Sequence, residues 1–126
     1  SHVIYSACDK MPSGLSSFWL QRQLRGYLGF KGAIFSDDMS MNAAVICSKD
    51  IKIRVLMALN AGCDMVLVCN SLNDVDSLLN ELKWQVTEAS VLRINKMKLN
   101  KIQAKANNYK GHSLAEAQKF VTNITK

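Results

Sequence analysis

The chain has 126 residues, of which 48% are apolar and 21% charged, and its formal net charge is +6. This length suits one compact domain, and the apolar fraction excludes an intrinsically disordered chain. No apolar run is long enough to span a membrane, no stretch resembles a signal peptide, and the four cysteines form no Cys-x-x-Cys pair that would predict a metal site.

Three short apolar runs predict strands in chain order, at residues 2–6, 33–36 and 65–69. A helical pattern follows each: residues 15–27, then 51–61 ending at Gly62, then a helix capped by Asn73 or Asp74. The strand starts are about 31 residues apart, which is the length of a βα unit with parallel strands.

Two further helical stretches are predicted over residues 87–106 and 113–124. Their lysines are spread along the helices without an aromatic platform, so we expect a solvated face and no nucleic-acid partner. The division predicted is 1–86 for the βα units and 87–126 for a helical extension.

The fold class predicted is α/β. Eight such units would make about 250 residues, the size of a (β/α)8 barrel. Three units cannot close a barrel, so the chain is either a small open sheet with covered edges or the last three βα units of a barrel. It has no initiator Met and opens directly in a strand pattern, which favours a piece of a longer protein.

The second predicted strand ends in two carboxylates, Asp37 and Asp38. Burying a carboxylate is unfavourable unless it is needed there, and the carboxyl ends of parallel strands are where ligands bind in α/β folds. The alternative is that Asp37 and Asp38 cap a helix over residues 39–44. Because side chains alternate along a strand, Asp37 should share a face with Phe35 while Asp38 faces away.

Residues 24–41 read LRGYLGFKGAIFSDDMSM and closely resemble the nucleophile segment of family 3 glycoside hydrolases. The flanks agree over residues 1–80, and the segment looks like that of bacterial β-N-acetylglucosaminidases of peptidoglycan recycling. One departure is Tyr27, where the family usually carries a polar residue.

The resemblance implies that Asp37 is the nucleophile of a retaining enzyme that removes terminal β-linked N-acetylglucosamine from muropeptides in the bacterial cytoplasm, without a cofactor. The family's acid/base pair, a His with an Asp, belongs to an earlier loop that this chain lacks. We therefore expect the isolated chain to be inactive and to pair with the N-terminal part of the barrel or with itself.

Other candidate site residues have alternative interpretations. Asp38 is expected to support Asp37. His2 is expected to be a packed, hydrogen-bonded residue or a substrate contact, and Met39 to be a core residue or a substrate contact. A non-catalytic α/β assembly or signalling module is the alternative function, because an Asp at a strand end followed by Met39 also resembles a response-regulator receiver.

Overall fold

The computed structural model describes residues 1–98, and its elements form an α/β fold. In chain order they are a 3-10 turn Ser13–Leu15, a π-helix Phe18–Tyr27, β1 Phe35–Asp38, α1 Asn42–Val45, α2 Ile51–Ala61, β2 Met65–Leu67, α3 Leu72–Glu81 and α4 Glu88–Asn95. The predicted helix over 113–124 and the end of the one over 87–106 lie outside the described residues. Within residues 1–98, no helix has the length and hydropathy needed to cross a bilayer.

The sheet consists of β1 and β2, which pair in parallel. Phe35 pairs with Met65 and Asp38 with Leu67, so β1 carries one more residue than β2 between these pairs. The parallel pairing of the second and third predicted strands and the helical crossover between them are therefore confirmed, although β1 begins and ends two residues later than predicted and β2 ends two residues earlier. The extra residue interrupts the strict alternation of side chains on which the predicted facing of Asp37 and Asp38 depended.

The prediction of a strand over residues 2–6 is wrong. Its only ladder contact is an isolated antiparallel bridge between Ile4 and Pro12. The carbonyl of Val3 accepts from the Ser13 amide at 2.8 Å, so this segment satisfies its backbone against the turn that follows it instead of against β1. The described sheet has two strands, not three.

The helices begin and end where local chemistry allows. Asp50 caps α2 by accepting from the Lys52 amide, and Gly62 ends it at φ 117°. Ser71 caps α3 by accepting from the Asp74 amide, so the predicted Asn73 or Asp74 cap is wrong by two or three residues. Thr87 caps α4, at the predicted start.

The helix predicted over 15–27 is shorter than expected and has a wider turn. It spans Phe18–Tyr27, and its end is marked by the Leu28 amide donating to Gln23, five residues earlier. Ser16 lies outside it, because its hydroxyl donates to Asp9 and accepts from the Trp19 amide.

The core lies between the helices and one side of the sheet. Its buried side chains are Leu15, Ile34, Met39, Ile51, Val55, Ala58, Cys63 and Leu78. The other side is open: Phe35, Met65 and Leu67 are each about 40% exposed. Register partners and alternate residues share a face, so these three side chains form one apolar patch, the open sheet face.

Candidate active site

Asp37 lies within the register irregularity of β1, one residue before the strand ends. Such irregularities are common beside active sites, because an extra residue redirects a side chain. Ser36 is buried and stabilises the distortion: its hydroxyl accepts from the Leu67 amide at 3.0 Å and donates to the Asp37 carbonyl at 2.7 Å. The strand end that carries Asp37 is thus held by a side chain as well as by the ladder.

Asp38 is committed to local structure. Its carboxylate accepts from the Ser40 hydroxyl at 2.6 Å, the Ser40 amide at 2.9 Å and the Cys69 amide at 3.1 Å. Partial burial works to raise the pKa of Asp38, but these hydrogen bonds outweigh it and hold the pKa below its usual value. Asp38 therefore joins the end of β1 to the segment that follows β2.

The Asp37 carboxylate is left much freer. Within residues 1–98 its one hydrogen bond is from the Asp38 amide to Oδ1, at 2.9 Å, and the residue is partly buried. A nucleophile needs an oxygen lone pair that is not already used, which Asp37 has and Asp38 largely lacks. Neither residue caps α1, which begins at Asn42 after Met41, so the capping alternative is wrong.

His2 contacts the same strand end. Its Nε2 lies 3.1 Å from the Asp38 carbonyl oxygen, to which it donates. Its Nδ1 is buried and has no partner among the described residues. His2 is thus hydrogen-bonded, as expected, to the backbone next to Asp37, and its contact with a substrate stays a prediction.

Met39 lies in the core with 0% exposure. Its amide donates to the Leu67 carbonyl at 2.8 Å, which continues the pairing of β1 with β2. A side chain so fully enclosed does not reach a ligand, so Met39 is a packing residue and not a substrate contact.

A buried charge cluster lies at the opposite, amino end of the strands. Asp64 accepts from Arg25 at 2.7 Å, from Arg93 at 2.6 Å, from the Ser90 hydroxyl at 2.7 Å and from the Ile34 amide at 2.8 Å. Burial alone would raise the pKa of Asp64, but the hydrogen bonds from Arg93, Ser90 and Ile34 lower it to about 2. This cluster ties the π-helix and α4 to the sheet.

Sequence reasoning missed both this cluster and Arg54, a buried cation on α2. The available signal was a charged residue inside an otherwise apolar pattern, as at Asp64 between Cys63 and Met65. That signal shows that a charge is unusual at its position, but it does not reveal the partner, which lies 26 to 39 residues away in the chain for Asp64.

Thiols and metal-binding groups contribute little to the arrangement. All four cysteines are free. Burial, followed by the nearby Asp64 charge, raises the pKa of Cys63 to about 11, so it packs as a neutral thiol. Among the described residues, no three His, Cys, Asp or Glu side chains are grouped to hold a metal ion.

Comparison with known proteins identifies the family to which the chain belongs. Residues 1–105 match the model of the glycosyl hydrolase family 3 N terminal domain. The chain belongs to glycosyl hydrolase family 3. Within it, a β-hexosaminidase of Methylobacillus flagellatus is 50% identical over 97 residues, which are 77% of this chain and 28% of that protein.

Solved structures of family 3 enzymes share the fold. NagZ from Neisseria gonorrhoeae, in complex with N-trifluoroacetyl-D-glucosamine, matches with a TM-score of 0.71 and 34% identity, over 100% of this chain and 35% of that one. A family 3 β-N-acetylglucosaminidase from Paenibacillus matches with a TM-score of 0.68 and 27% identity, over 90% of this chain and 23% of that one. The chain thus spans about a third or less of these relatives.

Proposed function

We propose that this chain is the nucleophile-bearing part of a retaining β-N-acetylglucosaminidase that removes terminal β-linked N-acetylglucosamine from cell-wall muropeptides. Asp37 attacks the anomeric carbon and the leaving group departs, giving a glycosyl-enzyme ester that water hydrolyses. In this proposal residues 1–86 supply the last βα units of a (β/α)8 barrel, residues 87–126 form a helical extension, and the complete enzyme acts in the bacterial cytoplasm.

The observation that carries the proposal is the contrast between the two adjacent carboxylates. Asp38 accepts three hydrogen bonds, whereas the Asp37 carboxylate accepts one, to Oδ1, and no donor within residues 1–98 reaches its Oδ2. Family membership supports the reaction class, and the relative that binds an N-acetylglucosamine analogue supports the substrate class. Nothing comparable favours a receiver module, since the upstream carboxylate of Asp9 is occupied by Ser16 and the Met11 amide.

The general acid is expected to come from outside this chain, from the N-terminal part of the barrel. General acid–base help is worth about 10²–10⁴ in rate, and poor substrate positioning is a further loss. The isolated chain should therefore show little or no turnover of an aryl β-N-acetylglucosaminide.

The test uses a hybrid enzyme in which this chain replaces the matching segment of the Methylobacillus flagellatus β-hexosaminidase. A mechanism-based fluorosugar should become attached to Asp37, as read by peptide mass spectrometry. Asp37→Ala should abolish labelling and lower kcat by more than about 10³-fold, because the covalent route is lost.

Two matched variants sharpen the result. Asp38→Ala should keep labelling at Asp37 with a reduced rate, because the strand end loses support but the nucleophile remains. Asp76→Ala, an exposed carboxylate on α3, should leave kcat unchanged. Labelling of Asp38, or near-normal turnover by Asp37→Ala, would show that the nucleophile assignment is wrong.

A further inference from the structure

Arg54 is a buried cation whose hydrogen-bond partners among the described residues are all carbonyl oxygens. The residue is 4% exposed, and no carboxylate within residues 1–98 pairs with it, whereas Arg25 and Arg93 both pair with Asp64. Its Nε donates to the Met39 carbonyl at 2.9 Å. Burying a charge without a counter-charge is unfavourable unless hydrogen bonds compensate for it, so the carbonyl oxygens that accept from Arg54 are needed to keep its guanidinium buried.

The guanidinium connects both ends of the segment between β1 and α2. Besides Met39 at the start, its Nη1 donates to the carbonyls of Ser48 at 2.6 Å and Lys49 at 2.9 Å at the end. The planar guanidinium of an arginine can donate to carbonyl oxygens on two sides at once, which the compact ammonium of a lysine cannot do. Arg54 thus closes residues 39–49 into a loop.

The backbone of Met39 is held on both sides of its Cα. Its amide donates to Leu67 on β2 and its carbonyl accepts from Arg54 on α2. Met39 follows Asp37 by two residues, so the direction of the chain as it leaves β1 is set by these two bonds. A change in the backbone dihedral angles at Met39 would be transmitted through Asp38 to the nucleophile, whose own carboxylate has one described hydrogen bond to restrain it.

We propose that Arg54 is a positioning residue for Asp37, which it orients by holding the Met39 carbonyl and closing the loop over residues 39–49. This inference rests on the proposed function of Asp37 as nucleophile. Arg54 acts only through the backbone, and it contributes no group to the reaction. A displacement of about 1 Å at a reacting atom lowers the rate by about 100-fold, which sets the size of the expected effect.

The first measurement is amide hydrogen exchange on the 126-residue chain. The amides of Ala44, Val45 and Cys47 donate within the loop and report its opening. Arg54→Met should accelerate their exchange by about tenfold or more, since bonds to a charged donor are lost. Arg93→Met, which removes a cation at the other end of the strands, should accelerate exchange around Ser90 and leave the loop unchanged.

The second measurement is the steady-state kinetics of the same hybrid enzyme, under conditions in which each variant is folded. Arg54→Met should lower kcat and the rate of fluorosugar labelling of Asp37 by about 100-fold, with KM changed less than about threefold. Arg54→Lys should recover part of kcat, because one of the carbonyl contacts is regained. Arg93→Met should keep near-normal kcat even if it is equally destabilised.

Two results would overturn the proposal: unchanged exchange in the loop of folded Arg54→Met, or normal labelling of Asp37 in that variant despite a loosened loop. An unmodified hybrid that folds but never labels Asp37 would instead refute the proposed function, and the positioning role would fall with it. The exchange data separate these cases, because they do not depend on activity.

Discussion

Asp64 is the residue whose surroundings most clearly predict a pH-dependent stability. Its folded pKa is about 2, below the ordinary value of 3.8. A carboxylate with a lowered folded pKa stabilises the folded chain fully above the ordinary value and loses this contribution as the pH falls toward the folded pKa. We expect a loss of about 2 kcal/mol in the free energy of unfolding between about pH 4 and pH 2.

The measurement is urea unfolding of the chain and of Asp64→Asn across this pH range. At pH 7 the variant should be less stable by about 3 kcal/mol, because Arg25 and Arg93 are left without a counter-charge. The difference should shrink as the pH falls, since the native carboxylate is then neutralised too. Asp76→Asn, at an exposed site, serves as the control. If the free energies of unfolding of the chain and of Asp64→Asn changed with pH in parallel, this account would be contradicted.

At the scale of elements, the end of α2 depends on the glycine that follows it. Gly62 has φ 117°, and a Cβ there would clash with the Gln21 side-chain nitrogen. Gly29, after the π-helix, has φ 67° and open space around its missing Cβ. An L-residue is strained at positive φ, more so at 117° than near the left-handed helical value.

Gly62→Ala should therefore destabilise the chain by about 2–3 kcal/mol and Gly29→Ala by about 1 kcal/mol. Thermal unfolding followed by circular dichroism gives both values under the same conditions. Because the Gln21 amide is the end of a flexible side chain, it can swing away, and backbone strain should dominate the effect. An equal and small effect of the two substitutions would show that the turn after α2 relaxes freely.

At the scale of the whole molecule, the open sheet face predicts association. Phe35, Met65 and Leu67 expose an apolar patch on the sheet, which has two strands within residues 1–98. We expect the chain to self-associate at micromolar concentration, or to bind the N-terminal part of the proposed barrel.

Sedimentation velocity measures this directly. Leu67→Lys should shift the chain toward monomer by placing a charge in the patch, while Leu72→Lys, at an exposed position on α3, should not. A sharp monomer for the unmodified chain at these concentrations would contradict the expected association.

Local sequence patterns were sufficient to predict the elements that depend on residues close together in the chain. The apolar runs before Asp37 and after Asp64 predicted the paired strands, and the spacing of Ile51, Val55 and Leu59 before Gly62 predicted α2. The motif around Asp37 indicated the family, because it is a contiguous run of residues that can be recognised without knowing its contacts.

Features that depend on contacts between residues distant in sequence could be identified only in the folded chain. Residues 2–6 have a strand pattern, yet Ile4 bridges to Pro12 and the Val3 carbonyl accepts from the Ser13 amide, so their backbone bonds to the turn that follows and does not extend the sheet. The different hydrogen bonding of Asp37 and Asp38 likewise depends on Cys69, some 30 residues onward. Residue patterns record whether a side chain is buried, but the partner of a buried charge is fixed only when the chain has folded.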